Sequence, residues 1–263
     1  MNADHWNELF RAWSKLKTPR RVPDAVVAGV REQIERVPGP TLMLGITHGL
    51  SDLGSDLTAL DRSEALIKTE WPGNTPNRRA VVGDWTRPPF APGAFATCIG
   101  DGVINSLTYP EQATALLSSI ALVLQTGGCF VCRVFTSPDE PETVAAVVRA
   151  TWQRGITRFQ TLKFRLAMAI ASEQGSPNIA VQTTHRVFEQ NFPDRGHLAA
   201  ATGWERKEID TIDIYATSPV SYTFPTRRQC EAIVPAEFVN ARFVSAPNYE
   251  LAERYPLLVA ERR

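Results

Sequence analysis

The sequence is poor in several things whose scarcity narrows its chemistry. It carries four cysteines in 263 residues, too few for a disulfide framework in a chain of this length. It has no excess charge of either sign, with 28 basic residues against 28 acidic ones. That balance argues against nucleic acid as its main partner. It has no apolar run of about 18 residues, hence no membrane span. Its opening, MNADHWNELF, holds acids where a secretory signal would be basic and then apolar. It shows no internal repeat and no low-complexity tract. These absences predict a cytoplasmic protein, monomer or homodimer, whose 43% hydrophobic content is ordinary for a chain that buries a core. Cys129 and Cys132 form CFVC, a spacing that suggests a metal or redox pair. The surrounding GGCFVCRVF reads as a strand, on which residues three apart point to opposite faces. The two are read as buried core cysteines, and no metal is expected.

What is present is a rhythm. TLMLG, LTALD, AVVGD (80–84), FATCIGDG (95–102) and CFVCRVF (129–135) are short apolar runs. SEALIKTEW and PEQATALLSSIALVL stand between them as helix candidates. Strands alternating with helices predict crossover units and a mostly parallel sheet. Apolar runs without clean alternation fit strands covered on both faces. Ahead of them, Trp6, Leu9, Phe10, Trp13 and Leu16 lie at helical spacing, as a helix docked on the core or as a lid. A second helix is predicted from Pro23 to about Val37. Residues 136 to 205 read as a helical insertion, 209 to 226 as more strand-like and turn-like, and RRQCEAIVPAEF as a helix. ARFVSAPN and YPLLVAERR read as closing strands. Their short link makes them antiparallel, since a parallel pair needs a crossover of about 12 residues or more.

Ligands of open parallel sheets bind beyond the C-terminal strand ends, where the strand order reverses. There the first run breaks into Gly45, Gly49 and Gly54. Glycines permit tight backbone and the close approach of a ligand. Asp61 ends the second run, placed to accept hydrogen bonds from two ribose hydroxyls. Asp84 and Trp85 follow the third, an acid beside a large flat ring suited to an adenine. Asp101 and Gly102 follow the fourth, with Asn105 just beyond. The glycine spacing is not the G-x-G-x-x-G of a dinucleotide site.

The order of these pieces resembles the class I S-adenosylmethionine-dependent methyltransferases. GITHG (Gly45 to Gly49) matches their glycine loop, Asp61 their second-strand acid, Asp84 their third-strand acid, and GDGVINSL their motif after the fourth strand. LVLQTGGCFVCRVF matches their fifth strand, and the C-terminal stretch their antiparallel pair. The resemblance covers about residues 40–135 and 225–263. It implies a Rossmann-like α/β fold with a seven-stranded, mostly parallel sheet, an antiparallel C-terminal strand and helices on both faces. It implies S-adenosyl-L-methionine as cofactor, held by Gly45, Thr47, Gly49, Asp61, Arg62, Asp84, Trp85, Asp101 and Gly102. Residues 1–38 then form N-terminal helices, and 136–224 a substrate or lid insertion. Two positions depart from the family. Met43 stands where an acid is usual, and Thr47 replaces the middle glycine, so the methionine end must be held differently, by backbone or by Thr47 and His48.

The expected reaction is methyl transfer to a small molecule by proximity and alignment. Asn105, Tyr109 and Tyr222 are the expected substrate-orienting groups, with His185 and His48 as candidate bases. Phe159, Phe164, Met168, Phe188 and Phe192 form either an apolar cavity or the insertion's own core. Two other functions stand beside this one. The fold could bind a partner without catalysing, since fold does not fix function. Ser51 could be a hydrolase nucleophile, although Leu53 occupies the second glycine position of the G-x-S-x-G elbow.

Overall fold

The computed structural model describes residues 21–246 and 248–263. The expected helix around Trp6 to Leu16 lies outside the described residues. Helix α1 (Asp24–Arg36) begins after Pro23, which sits at the cap in extended conformation, and buries Val26, Val30 and Ile34. It matches the predicted helix to within a residue at each end.

Seven strands form the main sheet: β1 (Thr41–Leu44), β2 (Leu57–Asp61), β3 (Arg78–Val82), β4 (Phe95–Asp101), β5 (Leu124–Arg133), β8 (Phe238–Val244) and β9 (Leu257–Arg262). Their order is β3-β2-β1-β4-β5-β9-β8. The pairs from β3 through β5 are all parallel. β9 runs antiparallel to both its neighbours, so the single reversed strand lies where the sequence placed it. Side chains alternate between two buried layers. Leu42, Leu44, Cys98, Phe130 and Cys132 face one layer with helix α3 (Glu111–Val123). Met43, Ala59, Ile99, Cys129 and Val131 face the other with α1. Cys129 and Cys132 thus point to opposite faces. Burial pushes their thiols up to about 11 and about 12, so they pack as apolar groups.

Several boundaries differ from the sequence reading. β3 ends at Val82, leaving Gly83 and Asp84 in the loop beyond. β5 starts at Leu124, with a register shift against β4 before Cys129. The β1–β2 connection, with α2 (Glu64–Glu70) following β2, holds only one 3-10 turn, His48–Leu50. With Gly49, Ser51, Asp52 and Gly54 in so short a link, no helix can form. Leu50 and Leu53 still anchor it in the α1 layer.

The insertion between β5 and β8 has its own core. It comprises α4 (Val144–Trp152), α5 (Phe159–Glu173), β6 (Asn178–Ala180), α6 (Val181–Asn191), α7 (Arg195–Thr202), α8 (Arg206–Ile209), β7 (Ser221–Thr223) and α9 (Arg227–Ala232). α5 is buried on nearly all sides and is the axis of this unit. Phe159, Phe164, Met168, Phe188 and Phe192 are all within the core, so of the two readings of these side chains the packing one holds. Phe135 and Tyr255 tie this core to the sheet, their rings 5.1 Å apart. The mixed strand and turn reading of 209–226 holds for its second half and is corrected for its first: Asp210–Tyr215 is a 3-10 helix, and only Ser221–Thr223 is a strand, paired antiparallel with β6. Asp210 and Asp213 are drawn to Arg195, which favours the compact turn over an extended run. The helix expected over 227–238 ends at Ala232, before Pro235, and Phe238 already opens β8. Among the described residues no helix is long and apolar enough to cross a membrane.

Candidate active site

The strand order reverses between β1 and β4, and polar groups gather at that point. Leu44 pairs with Leu60 and with Gly100, so the next residues, Asp61, Gly45 and Asp101, come level across three strands. Asp101 pairs in turn with Arg133 on β5. Two residues earlier on these strands stand Ala59, Met43, Ile99 and Val131, all in the α1 layer. By alternation Asp61, Asp101 and Arg133 share that face. The result is one row: carboxylate, glycine, carboxylate, guanidinium.

Gly45 has φ +81°, and its N–H donates to Leu60 O at 2.8 Å. A Cβ there would stand 3.3 Å from the Trp85 ring and 3.7 Å from Asp61 Oδ2. Glycine is favoured there by the conformation, and any side chain would also have to push the Trp85 ring aside. The Trp85 indole N–H donates to Leu60 O at 2.7 Å, which fixes the ring as a wall beside Gly45. Asp61 is 8% exposed, and its Oδ1 accepts from Ser63 N at 2.8 Å. Burial raises its carboxyl above the usual range, opposed by backbone N–H groups of Ser63, Ile46 and Arg62. Arg62 and Asp84 pair at 2.6 Å. Asp84 also accepts from Thr86 N and Oγ1, both at 2.9 Å. Partial burial works against its ionisation, but the Arg62 and Thr86 bonds win and hold its carboxyl low.

A cleft of about 1340 Å³ opens next to the glycine loop, and the four residues of the row are not part of its lining. Thr47, His48 and Gly49 of the glycine loop form one wall, and Pro23 to Ala25 at the start of α1 another. Thr157, Arg158, Trp204 and Glu208 come from the insertion, and Asn248 and Tyr249 from the β8–β9 connection. His48 Nε2 lies 2.9 Å from Glu70 Oε2.

The expected substrate-orienting residues are not gathered here. Asn105 is 3% exposed, and its carboxamide is fully used. Nδ2 donates to Phe135 O at 2.8 Å and Thr223 O at 2.7 Å, and Oδ1 accepts from Phe135 N at 2.9 Å. It fastens the insertion to the sheet. Tyr109 packs against the α3 layer, with its hydroxyl donating to Gln229 O at 3.2 Å. Tyr222 is buried in the insertion core. His185 does not line the cleft; its Nε2 lies 3.4 Å from Asp213 Oδ1. His185, Glu189 and Asp213 come within 4.8 Å of one another, and Arg195 lies among the carboxylates, 2.6 Å from Glu189 and 2.5 Å from Asp213. Their balancing charge is thus a guanidinium. Ser51 is no nucleophile elbow. Its hydroxyl donates to His48 O at 2.8 Å, its backbone is ordinary right-handed helical, and no helix follows.

Arg133 and Tyr249 escaped the sequence reading, as did Thr157, Trp204, Glu208 and Asn248 around the cleft. Arg133 did leave a signal, a lone charge inside the apolar run CFVCRVF. Buried charges require partners, and Asp101 supplies one at 2.5 and 2.9 Å.

No family model and no curated protein matches the chain. Solved structures do. A Rhodobacter sphaeroides structure that carries the provisional name of a Zn-dependent alcohol dehydrogenase is 13% identical, with TM-score 0.61, over 99% of this chain and 97% of that one. An S-adenosylmethionine-dependent methyltransferase from Mesorhizobium loti is 13% identical, TM-score 0.50, over 90% of this chain and 98% of that one. The S-adenosylmethionine-dependent methyltransferase SibL is 16% identical, TM-score 0.51, over 96% of this chain but 56% of that one. The names differ while the architecture is shared, and at these identities it is the architecture that carries over. With its strand order, its reversed β9 and its glycine turn at the switch point, the chain has the fold of the class I S-adenosylmethionine-dependent methyltransferases.

Proposed function

We propose that the protein is an S-adenosylmethionine-dependent methyltransferase acting on a small molecule. The observation that carries this reading is the row at the switch point, where Gly45 stands level with the Asp61 and Asp101 carboxylates on its two neighbouring strands. Asp61 would accept from the ribose hydroxyls, which would also relieve the cost of its burial. Trp85 and the Arg62–Asp84 pair would border the base. The cofactor supplies a methyl group on sulfonium, already a good electrophile. The protein's part is then to bind, to align and to exclude water. Alignment of that kind can contribute roughly 7–11 kcal/mol, whereas a base would add about 10²–10⁴-fold. Among the described histidines, His48 alone lines the cleft, which makes it the first candidate should the substrate need to lose a proton. The cleft between glycine loop and insertion is the substrate's place, and its mixture of Arg158, Trp204 and Glu208 favours a compact polar molecule with a flat face. Labelled methyl transfer in cell extract tests this: label should enter the small-molecule fraction, and label confined to protein or nucleic acid would contradict the substrate class.

One observation favours a second reading, a fold that binds without catalysing. The Trp85 ring already lies against Gly45, in space a nucleoside would share. A folded protein that binds neither S-adenosylmethionine nor S-adenosylhomocysteine would support it.

A further inference from the structure

The buried pair at the end of the row is not accounted for by stability. Arg133 is fully buried. Its Nε and Nη2 bond Asp101, while Nη1 is buried without a well-formed hydrogen bond, the Tyr249 phenol being the further polar group set against the guanidinium. A buried ion pair rarely repays its desolvation unless its remaining donors are satisfied. A leftover buried donor on a guanidinium therefore calls for an explanation.

Its place in the row provides one. Asp101 stands two strands from Asp61, about 10 Å at the backbone, with Gly45 between them. In an adenosyl thioether bearing an amino-acid tail, six bonds separate ribose C3′ from the α-carbon, a reach of about 7 Å when extended. Hydrogen bonds at either end close the rest. Met43, where the related fold usually has an acid, offers the α-ammonium nothing, since it is buried in the α1 layer.

Resting on the methyltransferase reading, we propose that Asp101 and Arg133 together receive the amino-acid end of the cofactor. Asp101 accepts from the α-ammonium, and Arg133 Nη1 donates to the α-carboxylate. A neutral ion pair meeting a zwitterion buries no net charge, and all four charges find opposite neighbours. Tyr249 provides the way in. It lines the cleft, its phenol lies beside Arg133, and its hydroxyl donates to Tyr255 O at 3.2 Å. A tail arriving from the cleft reaches the guanidinium by shifting that ring.

Calorimetry with three ligands tests the assignment: S-adenosylhomocysteine, its decarboxylated analogue, and 5′-methylthioadenosine, which keeps nucleoside and sulfur but lacks the amino acid. The wild type should prefer S-adenosylhomocysteine to each of the others by roughly 10- to 100-fold. The double variant Asp101→Asn/Arg133→Met, which removes both charges at similar volume, should bind 5′-methylthioadenosine as the parent does and lose the preference. A wild type binding all three within twofold overturns the proposal, as does a double variant that keeps the parent's preference. Should the double variant fail to fold, the decarboxylated analogue on wild type decides alone. If the wild type binds none of the three, the methyltransferase reading itself falls, an outcome distinct from loss of the preference only.

Discussion

Replacing Asn105 separates a structural role from a substrate-orienting one. Its carboxamide makes three buried hydrogen bonds, to Phe135 O, Thr223 O and Phe135 N. Asn105→Ala would leave two carbonyls and one N–H unsatisfied in a site with no access to solvent. At about 1–3 kcal/mol per orphaned group, the low end of the sum is about 3 kcal/mol, a large part of a typical total stability of about 5–15 kcal/mol. With a urea m-value near 3 kcal/mol/M, the unfolding midpoint should fall by about 1 M. Asn105→Asp sharpens the test. One oxygen would still accept from Phe135 N, but the other would face two carbonyl oxygens. Its folded pKa would be raised, so the deficit should shrink as pH falls and the acid regains a proton to donate. A midpoint shift of Asn105→Ala below about 0.3 M at unchanged m, with substrate KM raised instead, would refute the structural account.

Gly45→Ala would hold alanine at φ +81° with its Cβ 3.3 Å from the Trp85 ring. The conformation alone costs about 1–2 kcal/mol, so calorimetric melting should fall by about 2–8 °C and cofactor binding should weaken; an unshifted Tm would remove the steric argument. Burial raises the Asp61 carboxyl, so without ligand the folded state holds that proton more tightly than the unfolded one. The stability of the parent relative to Asp61→Asn should therefore rise as pH is lowered from 7 towards 4, measured by urea titration; a flat difference would contradict the raised carboxyl. Hydrogen exchange with S-adenosylhomocysteine present should slow at Thr157, Arg158, Trp204 and Tyr249 around the cleft; protection confined to the β3 edge would argue against the insertion as a roof.

The parts legible in the sequence were those set by burial on two faces. Runs such as LTALD and FATCIGD are apolar nearly throughout, without clean alternation, because both faces of the sheet are covered. The reversed β9 followed from the shortness of its link to β8. Asp61 stood out as an acid at a strand end. Other features depend on what a polar group meets in space. Asn105 after a strand end could face solvent or backbone, and only the insertion's return through β7 decides for backbone. The insertion itself was half legible, because its helices have apolar spacing while Asp210–Tyr215 answers to Arg195, far off in sequence. Arg133 was visible as a charge in an apolar run, yet its partner could be found only by pairing β4 with β5 in register. The compact turn after β1 reflects the density of Gly, Ser and Asp in 49–55.

The account rests on the site at the switch point being a nucleoside site, and isothermal titration of S-adenosylhomocysteine into the intact protein tests that most directly. The expected result is one ligand per chain, with affinity falling tens-fold or more in Asp61→Ala, since two hydrogen bonds to a carboxylate would be lost at about 1.5–3 kcal/mol each. No binding of S-adenosylhomocysteine together with tight binding of a nicotinamide dinucleotide, or affinity in a folded Asp61→Ala within twofold of the parent, would contradict it.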